Sequence, residues 1–156
     1  MATADNVIIS VQNLCKYFKK DAIRALDAGI HVLCEKPISL KIEDVDRVYD
    51  AAKRNNKCVM IAQVVRFWRE YLVLKDAYDT GKYGKLLSGH MTRLGNIPKA
   101  SWDNWMHDSE RSGRVLFDLH IHDLDFMVYT FGKPEKMTRF HAATPTQDYF
   151  EAIYQY

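Results

Sequence analysis

The sequence predicts an α/β layer over residues 1–64 followed by an α+β unit over 65–156. Three observations predict this. Apolar runs of strand length alternate with helically spaced segments as far as residue 62. The pattern then changes to two long helical segments followed by two late strands. Gly, Asn or Pro residues stand at most of the junctions, where a chain stops or turns most easily.

In the first layer, residues 6–11 (NVIISV) are a β-branched run of strand length, closed by the polar pair Gln12 and Asn13. Ala22, Ala25 and Leu26 have the spacing of a helix over 17–28, and Gly29 supplies its C-terminal stop. The apolar run 31–34 predicts a second strand. Ser39 is placed to cap a helix carrying Val45, Val48, Tyr49 and Ala52, which ends near Asn55 and Asn56. Residues 58–62 predict a third strand. Strands alternating with helices in this way form a parallel layer with right-handed crossovers.

Beyond Gln63 the periodicity changes. Residues 67–78 predict an aromatic-rich helix stopped by Gly81, and 86–94 alternates like a strand. A polar loop over 96–113 holds Trp102 and Trp105, packing residues that are also candidates for a substrate pocket because they sit on a loop before a helix. That helix spans 115–131 and closes on Gly132, and strands follow over 136–141 and 149–156. There is no internal repeat.

Composition narrows the function classes. The chain has 156 residues, 47% hydrophobic and 27% charged, which suits a globular protein able to bury a core. No stretch approaches about 20 uninterrupted apolar residues, so no membrane partner is expected. The first residues lack the basic and apolar regions of a signal peptide. Cys15, Cys34 and Cys58 are odd in number and have no metal-ligand spacing, so buried reduced thiols and a cytoplasmic location are expected. The net charge of +2 is nearly balanced. Lys16, Lys19 and Lys20 read as a solvated helix face, and without a basic stripe or recognition motif no nucleic-acid partner is expected.

Two stretches carry chemistry. In 31–37 (HVLCEKP), Pro37 cannot donate to a ladder and disfavours helix at Lys36, so pairing ends there. Lys36 is thereby held with Glu35 at the C-terminal end of a strand, the edge at which open α/β sheets bind ligands. Taken alone, these residues also suit a solvated turn. In 118–125 (DLHIHDLD), Asp118 and His122 fall one helical turn apart, so the carboxylate can orient the imidazole and stabilise its protonated form. Histidine titrates near neutrality and can take and return a proton. Taken without Lys36, the pair reads first as an ordinary helix ion pair. Asp123 and Asp125 fall on other faces, where they cap or pair. His120 and His122 also form an H-x-H pair, but residues two apart on a helix point to different sides and no further His or Cys cluster completes a ligand set, so no metal is expected.

Residues 22–37 (AIRALDAGIHVLCEKP) resemble the signature of the glucose–fructose oxidoreductase / inositol dehydrogenase / MocA (Gfo/Idh/MocA) family of NAD(P)-dependent sugar and polyol dehydrogenases. Arg66 and Phe67 followed by 81–86 (GKYGKL) are similar to the start of that family's C-terminal domain, and 112–134 is similar to its active-site helix. The resemblance implies the C-terminal part of a Rossmann-like parallel sheet, then the start of an α+β substrate domain. It implies NAD or NADP as cofactor, a sugar, cyclitol or similar polyol as substrate, and a homo-oligomer. It assigns His122 as general base, Asp118 as the group that orients it, and Lys36 as donor to the substrate oxygen. Glu35, Pro37, Gln12, Asn13 and Arg66 are placed near the nicotinamide ribose or carboxamide.

The chain also departs from the family pattern. It has no G-x-G-x-x-G and begins at what resembles the fourth strand of the fold. Ser10-Val11-Gln12-Asn13 and Lys16 stand where the family often reads Thr-Pro-Asn and then His, and Gly113-Arg114 stands where it has two glycines. Truncation at both ends is expected, with weak NAD(P) binding and self-association through exposed sheet edges. A non-catalytic ligand-sensing or subunit-contact protein using the same fold is the alternative.

Overall fold

The structure is a computed structural model that describes residues 18–95 and 101–156. The chain divides into two compact units, one containing the residues up to Cys34 with Lys41–Met60, the other Glu35–Leu40 with Ile61–Tyr156.

In the first unit, α1 (Phe18–Asp27) leads through a tight turn into β1 (Val32–Cys34). α2 (Ile42–Arg54) then leads to β2 (Val59–Ile61), which is hydrogen-bonded to β1 in a parallel sheet. Both helices end in the same way. Gly29 at φ 78 lets the Ile30 N–H reach the Ala25 carbonyl, and Asn56 at φ 50 lets the Lys57 N–H reach that of Ala52, each at 2.9 Å. These are the bonds of a Schellman stop, which needs a residue tolerant of the left-handed region. Ala22, Leu26, Val48, Ala51 and Ala52 are buried between the helices and the strand residue Cys34. At the helix ends, Asp27 accepts from Arg54 at 2.6 Å and from Asn55 at 2.8 Å.

In the second unit, a 3-10 turn (Val64–Phe67) leads into α3 (Arg69–Asp79). A 3-10 segment (Trp102–His107) and the short α4 (Ser109–Ser112) precede a π turn (Leu116–His120), which runs directly into α5 (Ile121–Phe131). β3 (Lys136–Ala143) and β4 (Asp148–Gln155) form an antiparallel hairpin in the register Lys136↔Gln155 to Ala143↔Asp148. The core is centred on Phe126 and Val65, with Tyr71 edge-on to Phe126 at 4.8 Å. Alternate residues of β4 turn inward: Phe150 and Tyr154 contact His120, while Tyr149 and Ile153 face outward.

Several sequence expectations are corrected. Residues 86–94 are an irregular segment rather than a strand. Among the described residues β3 and β4 pair only with each other, and Leu87 and Leu94 are 89% and 93% exposed, so the alternation has neither a ladder nor a buried face to satisfy. The cap of α2 is Lys41 rather than Ser39, and Glu43 and Asp44 in the first turn supply the negative charge that a helix N-terminus favours. The helix read over 115–131 opens as a π turn. Cys34 is buried but Cys58 is exposed, because Cys58 precedes β2 rather than lying within it. The strand read over 6–11, and Cys15, lie outside the described residues. No helix among the described residues is long and apolar enough to cross a membrane.

Candidate functional site

β1 ends at Cys34, and the next residues bring Lys36 against the π turn of the same unit. Lys36 Nζ donates to Asp118 Oδ1 at 2.8 Å and to the Asp118 backbone carbonyl at 2.7 Å. Only 16% of the Lys36 side chain and 33% of that of Asp118 are exposed, so water screens the pair weakly. The widened turn coincides with this contact, as π turns often do with functional positions. Glu35 is exposed at the strand exit and Pro37 is half-buried after a cis peptide bond.

Gly113 makes this approach possible. It closes α4 at φ 65, and a Cβ there would lie 2.8 Å from Leu40 Cδ2 and 2.5 Å from Phe117 Cδ2. The absence of a side chain lets the 35–40 segment lie against the turn that carries Asp118.

His122 follows on α5, but no hydrogen bond joins it to Asp118. The carboxylate expected to orient the imidazole is occupied by the ammonium, and His122 Nδ1 is buried with no hydrogen-bond partner among the described residues. Burial holds the His122 imidazole below its ordinary value, the Lys36 and Arg93 cations push the same way, and Asp118 and Asp123 oppose them. The imidazole is therefore biased towards its neutral form, the state a proton acceptor needs.

The flanking carboxylates do pair, as read from the sequence. Arg93 Nε donates to both oxygens of the buried Asp123 at 3.0 and 2.9 Å, and Arg93 Nη2 donates to Tyr71. Arg66 grips Asp125 through two donors, Nε at 2.6 Å and Nη2, and its guanidinium lies 4.6 Å from the centre of the Tyr129 ring. His120 shares a 2.8 Å hydrogen bond with the Tyr154 hydroxyl. Gln12 and Asn13 lie outside the described residues.

Beside Asp118 opens a cleft of about 870 Å³, with Arg93, Arg114, Asp118 and Asp148 as its charged lining. Met106, rather than Trp105, comes from the preceding loop. Sequence reasoning missed Arg93, whose partner is 30 residues away with no local pattern linking them. Arg114 was noticeable only as a break in a glycine pair.

Comparison with known proteins matches residues 2–63 to the family described as "Oxidoreductase family, NAD-binding Rossmann fold", and residues 71–156 to the "GFO/IDH/MocA C-terminal domain". The chain belongs to the Gfo/Idh/MocA oxidoreductase family. A 2,7-anhydro-N-acetylneuraminate hydratase of Mediterraneibacter gnavus is 31% identical over 133 residues, covering 85% of this chain and 35% of that protein. A myo-inositol 2-dehydrogenase of Thermotoga maritima is 33% identical over 111 residues, covering 71% and 32%. The crystal structure of an NAD-binding protein from Listeria innocua superposes with a TM-score of 0.70 at 29% identity, over 80% of this chain and 37% of that one. The chain thus spans about a third of the length of the Gfo/Idh/MocA proteins it matches.

The polar groups present are of the kinds that suit the nicotinamide half of the family's dinucleotide. Four buried side-chain polar atoms have no partner among the described residues: Gln63 Oε1 just after β2, Arg114 Nε, and His122 Nδ1 and Thr130 Oγ1 on α5. Gln63 Oε1 and His122 Nδ1 can each accept a hydrogen bond and the Lys36 ammonium can donate one, the kinds of group that suit a carboxamide and hydroxyls. The sequence contains no G-x-G-x-x-G turn to hold a pyrophosphate.

Proposed function

We propose that this chain carries the reacting half of an NAD(P)-linked dehydrogenase site acting on a hydroxyl-bearing carbon of a sugar, cyclitol or similar polyol. In this reading residues 1–64 are part of a dinucleotide-binding domain and 65–156 part of a substrate and oligomerisation domain. Bound NAD(P) supplies the hydride acceptor. Lys36, steadied by Asp118, donates a hydrogen bond to the substrate oxygen and stabilises the negative charge developing there. His122, biased to its neutral form, takes the hydroxyl proton. Glu35 and Pro37 border the nicotinamide side, with Gln12 and Asn13 expected there too. Arg66 holds α5 through Asp125 and has Nη1 left for the cofactor.

The observation that carries the reading is the Lys36–Asp118 contact, with His122 close enough to feel both charges. The test is NAD reduction followed at 340 nm, with millimolar NAD and a panel of glucose, myo-inositol and glucuronate. Turnover of one of these is expected, falling about 10²–10³-fold in Lys36→Met and in His122→Asn. Absence of turnover across the panel, or unchanged rates in both variants, overturns the proposal in favour of a non-catalytic role.

A further inference from the structure

Two charges lining the cleft beside Asp118 have no permanently charged partner among the described residues, the Arg114 guanidinium and the Asp148 carboxylate. Arg93 is paired with Asp123, and Asp118 with Lys36. Asp148 is held by neighbours of its own: it accepts the Val115 N–H at 2.8 Å and shares a 2.7 Å hydrogen bond with His141, which is an ion pair only when that imidazole is protonated. Arg114 has no carboxylate partner among the described residues. Its Nη1 donates to the Thr144 carbonyl at 2.9 Å, its Nη2 reaches only 3.5 Å from that of His107, and its Nε is buried with no partner. A guanidinium spread over neutral carbonyls keeps its full charge, and an unpaired buried N–H is costly.

The backbone at Arg114 adds a second observation. Its φ is +50, a left-handed conformation that a residue with a long side chain rarely adopts. Glycine would adopt it without strain. Strain of this kind persists where the surroundings hold it, commonly at ligand sites.

We propose that Arg114 makes this cleft a carboxylate subsite, so that the substrate class is a sugar acid rather than a neutral sugar. The guanidinium fork matches a carboxylate in shape and charge. Asp118 lines the same cleft, so the acid group would be held at Arg114 while another part of the molecule lies towards Lys36. That orientation rests on the dehydrogenase reading, whereas the anion preference does not.

The test titrates D-glucuronate and D-glucose, which share a ring and differ in charge, into the full chain by isothermal calorimetry at low salt. Glucuronate is expected to bind at least tenfold more tightly than glucose. Arg114→Gln and Arg114→Gly should remove that preference by weakening glucuronate alone, and Arg114→Gly, which relieves the backbone strain, should melt no lower than the parent. Equal binding of the two sugars, no binding of glucuronate, or a preference that survives both substitutions overturns the proposal. Lys36→Met, measured in parallel, should weaken both sugars equally. If it changes neither while Arg114→Gln abolishes the preference, the dehydrogenase reading fails and the carboxylate subsite stands.

Discussion

Lys36 and Asp118, separated by 82 positions in the chain, meet through two charge-assisted contacts: Nζ lies 2.8 Å from the carboxylate and 2.7 Å from the carbonyl of the same residue. The ammonium therefore grips the backbone of a π turn as well as its side chain. That double grip places the 35–40 segment on the turn leading into α5, and it is the structural basis of the proposed site.

Lys36→Met should remove both contacts and leave a half-buried carboxylate unpaired. The expected loss is about 1.5–3 kcal/mol for a charged hydrogen bond in such a setting. Asp118→Asn should lose less, because its amide oxygen still accepts. Urea midpoints of the two variants check the order, and a larger loss in Asp118→Asn would show that Lys36 is not the principal partner.

His122 should titrate below its ordinary value of 6.5. His120 is displaced the same way by burial. The sign follows from linkage: between the lowered native pKa values and the unfolded value near 6.5, the unfolded chain binds more protons than the folded one. This contribution to stability is fully present above about 6.5 and is lost as pH falls through the native values. Imidazole NMR titration reads the two pKa values directly. In Lys36→Met the His122 value should rise, since a neighbouring cation is removed, and a fall would contradict this electrostatic account.

Gly113→Ala should be among the most damaging small substitutions in the chain. The new methyl would meet Phe117 Cδ2 at 2.5 Å and Leu40 Cδ2 at 2.8 Å, at a φ of +65. The left-handed conformation alone costs roughly 1–2 kcal/mol, and the crowding adds to it. Because Leu40 follows Lys36 closely, the substitution should also loosen Lys36 from Asp118, read as an upward movement of the His122 pKa. A melting temperature equal to the parent's would show that the segment moves aside freely.

We infer that the chain self-associates. Every residue of β3 is exposed, and Phe140, Tyr149 and Ile153 lie together on the outer face of the hairpin. Among the described residues this hairpin has no third strand, and such open edges and apolar faces favour pairing. Light scattering across micromolar concentrations should show mass rising with concentration, reduced in Ile153→Lys. A constant monomer mass counts against it.

Much of the local structure was legible because it depends on neighbours in sequence. Gly29 and Asn56 ended their helices as left-handed residues must, Pro37 marked the strand exit that presents Lys36, and the two hairpin strands formed close to where they were read. Spacing also brought Asp118 and His122 onto one helix. What spacing did not contain was the competitor for the Asp118 carboxylate, since Lys36 arrives from another part of the chain. The pairing of Arg93 with Asp123, the solvated course of 86–94 and the unneutralised charge of Arg114 share that origin.

The sequence by itself determined where helices stop, where the lysine leaves its strand and which family the chain resembles, because these follow from backbone preferences and short-range pattern. Only the tertiary structure decided which charges neutralise one another and which remain available to a ligand. Hydrogen bonds and ion pairs act over a few ångströms of space, and the folded path alone sets which distant side chains come within that reach.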